Sequence, residues 1–300
     1  MQGSWTTAPE GAPARRSTPV AELFDRALGI YRRAWLPIVI SYAVFQIPVV
    51  VLNLASTSVQ MRPSNGQPLG YGTITTPDQL IATSIATVFS MAVALGLGTF
   101  GLAIVSILAA RAERGERLSA WTAMREIGRS FSPIGGFVLI MLGGWALLAV
   151  PAVALIVSVA SSIPPGGTLD GSTVALSVLI TAVVVVILAF VGVRFCLGVP
   201  AIVINDLGPL DALRRSWVLL QGRAWRTFYL LMLGALVVGL PSVILNPLAL
   251  PGVFRGMMTG SIQAYAVIIL VSGLVTTVVG PIMPILLTVL YSDYSSSQRT

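Results

Sequence analysis

Residues 80–110 read LIATSIATVFSMAVALGLGTFGLAIVSILAA, and residues 111–129, which follow directly, read RAERGERLSAWTAMREIGR. The first segment carries no charged side chain and exceeds the roughly 20 apolar residues that a helix needs to cross the hydrocarbon of a bilayer. The second segment holds five arginines. Together they predict a membrane-spanning helix followed by a basic segment that stays outside the hydrocarbon.

The same alternation recurs along the whole chain. Its 300 residues are 55% hydrophobic and only 10% charged, whereas a soluble domain carries about 25% charged residues. Continuous apolar runs also exclude a membrane β-barrel, because barrel strands are alternating segments of about ten residues. The pattern predicts an all-α, polytopic transmembrane helical bundle with six spans, at about 35–55, 80–110, 134–160, 174–204, 228–250 and 264–291.

The arginines predict the orientation of this bundle. The chain has no lysine, and its arginines fall in alternate gaps between the spans. By the positive-inside rule, these gaps face the cytoplasm. We therefore expect a multi-pass protein of the cell (inner) membrane with both termini cytoplasmic, and the net charge of +7 needs no nucleic acid to explain it. Fifteen of the 18 arginines lie on the predicted cytoplasmic side, at positions 15, 16, 26, 32, 33, 111, 114, 117, 125, 129, 214, 215, 223, 226 and 299.

The polar ends of the chain flank one transmembrane domain. Residues 1–16 are rich in Gly, Pro, Ala and Thr, which predicts a disordered cytoplasmic tail rather than a cleavable signal peptide. Residues 17–292 form the transmembrane domain, and residues 293–300 form a second cytoplasmic tail. Outer connections are expected at 56–78, 161–173 and 251–262.

Residues 209–226, PLDALRRSWVLLQGRAWR, predict an amphipathic helix lying on the cytoplasmic face of the bilayer. Leu210, Leu213, Trp217 and Leu220 fall on one helical face, which should point inward. Gly208 can cap this helix, and the following proline suits its first position.

Two other segments resemble this interfacial helix: residues 19–35, PVAELFDRALGIYRRAW, and residues 118–135, LSAWTAMREIGRSFSPIG. Each of the three precedes a span that contains proline. We therefore predict a threefold internal repeat of interfacial helix, span, outer loop and return span. Such repeats are common in transporters, but they build other membrane bundles equally well.

The residues of most catalytic and metal chemistry are missing. The chain has no histidine and a single cysteine, Cys196, which excludes histidine ligands and an intramolecular disulfide. No carboxylate falls within a predicted span, which argues against a proton- or sodium-coupled transporter. The sequence predicts no catalytic residue, no cofactor and no metal site, and hence a protein that is not an enzyme.

Arg194 is the most informative single residue. It precedes the predicted inner end of its span, near Ile204, by ten residues, and an ionisable residue at that depth is a functional candidate. Either it anchors the helix by reaching the inner headgroups, with Pro200 ending the span and residues 195–204 lying shallow or re-entrant, or it contacts a lipid headgroup or a substrate.

The charge of Arg194 requires acceptors, because a guanidinium does not lose its proton in proteins. Inner headgroups, carbonyls freed by Pro200, and a carboxylate are the expected partners, with Asp206 and Asp211 as first choices. Basic residues of the 209–226 helix are expected to attract anionic lipid, at about 1 kcal/mol per charge. The complete set of candidate lipid or anion contacts is Arg194, Arg214, Arg215, Arg223 and Arg226.

Residues 194–228, RFCLGVPAIVINDLGPLDALRRSWVLLQGRAWRTF, and the last span with LLTVLYSDYSSSQ resemble the membrane domain associated with bacterial glycerophosphoryl diester phosphodiesterases, which also occurs in a stand-alone form. The N-terminal segment 19–35 resembles the opening helix of that family. The resemblance implies six spans and residence in the membrane. It does not imply phosphodiesterase chemistry, because that belongs to a separate barrel with histidine and metal-binding carboxylates. The likeness rests on Arg194, Pro200, Asp206, Leu207, Gly208, Pro209, Ala212, Leu213, Ser216, Trp217 and Gly222.

Three functions remain as hypotheses. The first is a non-catalytic membrane scaffold that binds membrane lipids, anionic ones included, or a protein partner or second copy. The alternative is a transporter or permease-like protein for a lipid-related or amphipathic solute. A membrane enzyme acting on lipid is the third, and the lack of histidine and of buried carboxylates argues against it. A polar cavity lined by Arg194 and kinked helices would favour transport, and a closed bundle would favour the scaffold.

The orientation is testable by cysteine labelling. We expect Ser119→Cys and Asp211→Cys, each in a Cys196→Ser background, to react with a membrane-impermeant maleimide only after cells are opened, because both positions lie in arginine-rich gaps. Gly66→Cys, in a predicted outer connection, should react in intact cells. Labelling of position 119 or 211 from outside would contradict the orientation.

Overall fold

The computed structural model describes residues 18–60, 77–116, 119–161, 171–259 and 262–297. The predicted tail 1–16 and most of the predicted connections 56–78 and 161–173 lie outside these residues. Within them the chain forms helices and no strand. The helices are α1 Val20–Gln60, α2 Pro77–Glu113, α3 Ala120–Arg129, α4 Phe131–Ser161, α5 Gly171–Phe195, α6 Gly198–Asn205, α7 Pro209–Leu219, α8 Ala224–Thr259, α9 Ile262–Val279 and α10 Ile282–Ser296.

Several of these helices are long and apolar enough to cross a membrane. A sixth potential span is counted when α3 and α4, which meet at an angle of 70°, are taken as one bent unit. The all-helical class and a bundle of five to six potential spans are thereby confirmed, while the number six stays a prediction. The five unbent stretches are Val20–Ser56, Phe89–Glu113, Ala182–Asn205, Ala224–Pro241 and Ala266–Ser296.

Two predicted spans are broken helices. The span predicted at 174–204 consists of α5 and α6, which are separated at Cys196 and Leu197, and the span predicted at 264–291 consists of α9 and α10, separated at Gly280 and Pro281. Proline explains the second break, because it has no N–H to donate to the preceding turn. The last helix also continues to Ser296, through the start of the predicted tail 293–300.

The predicted outer connection at 251–262 is mostly helical. Helix α8 continues to Thr259, and α9 begins at Ile262. Pro251 does not end the helix, although proline in a helix interior removes one backbone hydrogen bond. The helix therefore extends beyond the predicted end of the span, since a proline inside an apolar run is compatible with either a turn or a continuing helix. The outer position of this connection stays a prediction.

Two helical stretches form the centre of the bundle. Residues 103–109 of α2 and 285–291 of α10 are buried at every consecutive position. A helix that is buried on all sides must be surrounded by other helices. Helices α1, α6 and α8 all pack against α10, and α1 and α6 also pack against α2.

The arginine-rich segments meet at one end of this bundle, which we call the basic end. The start of α1 is joined to the end of α2 by an ion pair of 3.0 Å between Arg26 and Glu113. The start of α8 approaches the end of α10, where Arg226 Nη1 lies 4.0 Å from Asp293 Oδ2. These contacts place the start of α1 beside the end of α2 and the start of α8 beside the end of α10.

Helix α7 differs from the predicted interfacial helix in length. Gly208 is its N-cap and Pro209 its first residue, which confirms the predicted start. The helix ends at Leu219 instead of reaching Arg226, because the chain turns through Gly222 with a φ of +74°. Leu213 and Leu220 are buried in the bundle together with Ala212, Ser216 and Leu219, whereas Leu210 and Trp217 are exposed. The predicted orientation of Leu210, Leu213, Trp217 and Leu220 towards the bilayer stays a prediction.

The three proposed repeat units share one structural feature. In each, a shorter helical segment is separated from a longer one: by the non-helical residue Ala34 within α1, by Ser130 between α3 and α4, and by residues 220–223 between α7 and α8. The 70° bend at Ser130 is the angle expected if α3 lies along a membrane surface and α4 crosses it. The threefold repeat itself stays a prediction.

Helix α6 is buried within the bundle, and the shallow or re-entrant position of residues 195–204 in the bilayer stays a prediction. Residues 198–202, Pro200 included, are buried, and α6 packs against α2, α4, α7 and α10. The break comes before Pro200, so this proline does not end the span. Gly198 permits a close approach, because a Cβ there would lie 2.4 Å from Phe137 Cε2.

Gly198→Ala should lower the free energy of unfolding by about 1–3 kcal/mol, since Phe137 is buried and has to move. Thermal unfolding in detergent measures this loss. Gly192→Ala is the matched control, because a Cβ at that exposed position meets no atom within 4 Å. The added variant Phe137→Leu should restore part of the loss in Gly198→Ala. Equal stability of the two single alanine variants would contradict the close packing of α6.

Candidate functional site

Arg194 lies at the end of α5, and α7 holds its backbone in place. The hydroxyl of Ser216 donates a hydrogen bond of 2.8 Å to the carbonyl oxygen of Arg194. The rings of Phe195 and Trp217 are 6.0 Å apart, which adds an aromatic contact between the same two helices. Since the last carbonyls of a helix have no partner within that helix, the Ser216 bond satisfies one that α5 leaves free.

The guanidinium of Arg194 is placed between two aromatic rings. Its carbon atom lies 5.4 Å from the ring centre of Phe190 and 4.6 Å from that of Trp217. Such cation–π contacts stabilise a charge by about 0.5–2 kcal/mol, but they supply no hydrogen-bond acceptor. The aromatic rings therefore fix the position of the charge without satisfying its donors.

Hydrogen bonding of this guanidinium is incomplete. Nη1 donates to the carbonyl oxygen of Leu220 at 3.5 Å, which is long for such a bond. The buried Nε has no acceptor in the described part of the chain. Nη2 also donates to no described residue, and unlike Nε it is not among the buried atoms. An arginine has five N–H donors, so most of those of Arg194 are unused within the described ranges.

The acceptor of the Arg194 hydrogen bond differs from the acceptors expected from the sequence. It is the carbonyl of Leu220, just beyond the last residue of α7, and not a carbonyl freed by Pro200. Asp206 and Asp211 are exposed, and among the described residues neither forms an ion pair with Arg194. Leu220 is 26 positions away in the chain, and its carbonyl becomes available only because α7 folds back against α5.

Arg223 and Arg226 belong to a different cluster, which we call the terminal clamp; it comprises Thr18, Arg223, Arg226, Thr227, Asp293, Tyr294 and Ser297. Within it, Arg226 donates to the carbonyl oxygen of Thr18. The hydroxyl of Thr18 donates to Asp293 Oδ1 at 2.6 Å. The clamp therefore ties the start of α1, the start of α8 and the end of α10 together.

Tyr294 lies at the centre of the terminal clamp. The guanidinium carbons of Arg223 and Arg226 are 5.0 and 5.7 Å from the centre of its ring. Its hydroxyl is 3.2 Å from that of Thr227, and Arg223 Nη1 donates to the hydroxyl of Ser297 at 2.8 Å. Sequence reasoning missed this cluster, because its residues come from three segments that show no common motif.

The five candidate arginines are thus in different situations. Arg223 and Arg226 make contacts within the terminal clamp. Arg214 is exposed and Arg215 is half-buried, and neither has a hydrogen bond or an ion pair to the part of the chain that is described. Arg194 alone combines a fixed position with buried and unused donors.

The described residues include no group of three or more His, Cys, Asp or Glu side chains that could hold a metal ion. Cys196 donates a hydrogen bond of 3.1 Å from its Sγ to the carbonyl oxygen of Val193. This contact gives Cys196 a local structural role at the break between α5 and α6. The expectation of a non-enzymatic protein stays a prediction.

Comparison with known proteins gives one match. A family model described as a domain of unknown function, DUF7847, covers residues 19–294. No curated protein and no solved structure matches the chain. The resemblance to the membrane domain of glycerophosphoryl diester phosphodiesterases stays a prediction.

Arg226→Ala should lower the free energy of unfolding by about 1–3 kcal/mol, because it removes a charge-assisted hydrogen bond to Thr18 and an ion pair with Asp293. Thermal unfolding in detergent measures this change, and Arg214→Ala, an exposed arginine without a described partner, is the control. Combining Arg226→Ala with Asp293→Ala should cost less than the sum of the two single changes. Additive losses would show that the two residues are not coupled.

Proposed function

The chain belongs to the DUF7847 family, and we propose that it is a non-catalytic integral membrane protein that binds the headgroup of an anionic lipid at Arg194. The observation that carries this proposal is the incomplete hydrogen bonding of the guanidinium, which has one long bond and a buried Nε without an acceptor. A lipid phosphate supplies negative charge together with several acceptor oxygens, which match the planar donors of arginine.

The surroundings of Arg194 face the position where lipid would be. On α5, Val186 and Phe190 are 66% and 53% exposed, and Trp217 on α7 is 39% exposed. Large apolar side chains exposed on a helix of this hydropathy are typical of a surface in contact with hydrocarbon. A headgroup reaching Nη2 would therefore approach from the lipid rather than from the interior of the bundle.

Aromatic side chains support the placement of the basic end at a membrane interface. Trp35, Trp121 and Trp225 are 54%, 72% and 74% exposed, and each lies on a segment at that end. Tryptophan is enriched where hydrocarbon meets headgroups. With the positive-inside rule, this supports a cytoplasmic basic end, at which Thr18 and Ser297 lie and where Arg214 and Arg215 add to the attraction for anionic lipid.

The transporter alternative has weaker support. A cavity of about 380 Å³ lies between α1, α2, α8 and the junction of α9 and α10. Its lining residues are uncharged, and Arg194 is not one of them. A polar cavity lined by Arg194 would favour transport, and the cavity between these helices does not have that lining.

Retention of lipid by the purified protein tests the proposal. Native mass spectrometry should detect more bound phosphatidylglycerol than phosphatidylcholine on the unmodified protein. Arg194→Leu should weaken retention of phosphatidylglycerol roughly ten-fold or more, given the strength of hydrogen bonds to charged groups. Arg194→Lys should fold in similar yield but lose part of the preference, because an ammonium lacks the two-pronged geometry.

Arg129→Leu provides the control, because Arg129 is an exposed arginine of the basic end outside the Arg194 site. It should retain the preference for phosphatidylglycerol. Unchanged retention in Arg194→Leu would contradict a headgroup site and would leave Arg194 with an anchoring role.

A further inference from the structure

The cavity between α1, α2, α8 and the α9–α10 junction contains polar groups that the headgroup site does not involve. Its lining is mostly apolar, with two side-chain hydroxyls, from Tyr42 and Thr276. Glycine leaves the space open: at Gly98 and Gly239 a Cβ would meet no atom within 4 Å. The volume of about 380 Å³ falls in the range of roughly 300–1,000 Å³ that is usual for ligand pockets.

The cavity lies partway along the helices that form it. Gly98 and Gly239 are each roughly 15 residues along their helices from the basic end, which corresponds to about 20 Å of helix. On α1 the cavity is nearer to that end, because Tyr42 follows the break at Ala34 by eight residues and the hydroxyl of Tyr31, before the break, donates to the carbonyl oxygen of Val278 beside the α9–α10 junction. The lining nevertheless contains none of the arginines of the basic end.

Both hydroxyls in the cavity lack a hydrogen-bond partner in the described chain. A threonine in a membrane helix usually donates to the carbonyl four residues before it, as Thr99 does to Leu95 and Thr277 to Gly273, each at 2.7 Å. Thr276 makes no such bond, and neither does the hydroxyl of Tyr42. Leaving a hydroxyl unpaired in hydrocarbon costs free energy, so an occupant with a suitable oxygen would be stabilised there.

The Tyr42 hydroxyl also lies next to the break between α9 and α10. A Cβ at Gly280 would be 3.1 Å from that oxygen. The ring of Tyr42 packs against Gly101, where a Cβ would lie 3.3 Å from two ring carbons. Its hydroxyl is therefore held beside the cavity by close contacts on both sides.

We propose that this cavity binds a neutral lipid whose hydroxyl or carbonyl oxygen forms hydrogen bonds with Tyr42 and Thr276. Neutral charge follows from a lining without a charged residue. An oxygen follows from the two unpaired hydroxyls, and a long apolar body follows from the apolar lining. The site is separate from Arg194 and does not depend on the proposed headgroup site.

Photolabelling of the full chain in lipid nanodiscs tests this site. The probe is hexadecan-1-ol with a diazirine in the middle of its chain, and the matched probe is the same chain without the hydroxyl. We expect the alcohol probe to label peptides around Tyr42, Gly98 or Gly239. Half-maximal labelling should require a roughly ten-fold lower mole fraction of the alcohol in the nanodisc lipid than of the alkane, because two neutral hydrogen bonds stabilise the bound alcohol.

Variants locate the labelling in the cavity. Gly239→Leu should abolish the preference for the alcohol by filling the cavity. Gly143→Leu should keep it, because Gly143 is an exposed glycine of α4 with equally open surroundings. The double variant Tyr42→Phe, Thr276→Val should label equally with both probes, and Arg194→Leu should behave like the unmodified protein.

Three outcomes would overturn the proposal. If both probes label the unmodified protein equally, the cavity takes any hydrocarbon chain and recognises no oxygen; this comparison needs no variant to fold. If Gly239→Leu keeps the preference for the alcohol, the labelled site lies elsewhere. Absence of labelling at these peptides would likewise show that the cavity holds no lipid.

Discussion

Backbone carbonyls at helix ends are the constraint on which this structure depends. Hydrocarbon offers them no hydrogen-bond donor, so a helix that ends within a membrane bundle needs a donor from elsewhere in the protein. Ser216 donates to the carbonyl of Arg194 at the end of α5. Arg194 in turn donates to Leu220 beyond α7. The hydroxyl of Tyr31 donates to the carbonyl of Val278 at 2.6 Å, where α9 ends. At the ends of α5, α7 and α9, the interrupted helix is thus joined to another helix.

These bonds explain how broken helices can surround a continuous centre. The stretches 103–109 and 285–291 are buried on all sides, which requires neighbours that follow their surface. A helix that breaks and resumes, as α5 and α6 do, can pack its second part inward. Gly198 is the residue that allows this approach, since a side chain there would overlap Phe137. At the basic end, the terminal clamp connects the start of α1, the start of α8 and the end of α10.

The two proposed lipid sites have the same physical origin. In each, the fold holds polar groups in fixed positions but provides no partner for their hydrogen bonds. Contacts between α5 and α7 hold Arg194 in place, yet most of its N–H donors have no acceptor among the described residues. Its guanidinium is therefore available to bind an anion. Tyr42 and Thr276 are held beside the α9–α10 break and lack partners. Charge separates the two: a guanidinium favours a phosphate, whereas uncharged hydroxyls in an apolar lining favour a neutral oxygen.

The sequence by itself determined the helical class, the approximate spans, the gathering of arginines at one end and the start of α7 at Gly208 and Pro209. These follow from the length of apolar runs, the periodic position of charge and the local geometry of proline, all of which act over a few neighbouring residues. Only the tertiary structure decided the partner of Arg194, the burial of α6 and the terminal clamp. Each of these joins residues from separate helices, up to 275 positions apart for Thr18 and Asp293, and a contact between helices depends on how their faces pack, which no local pattern contains.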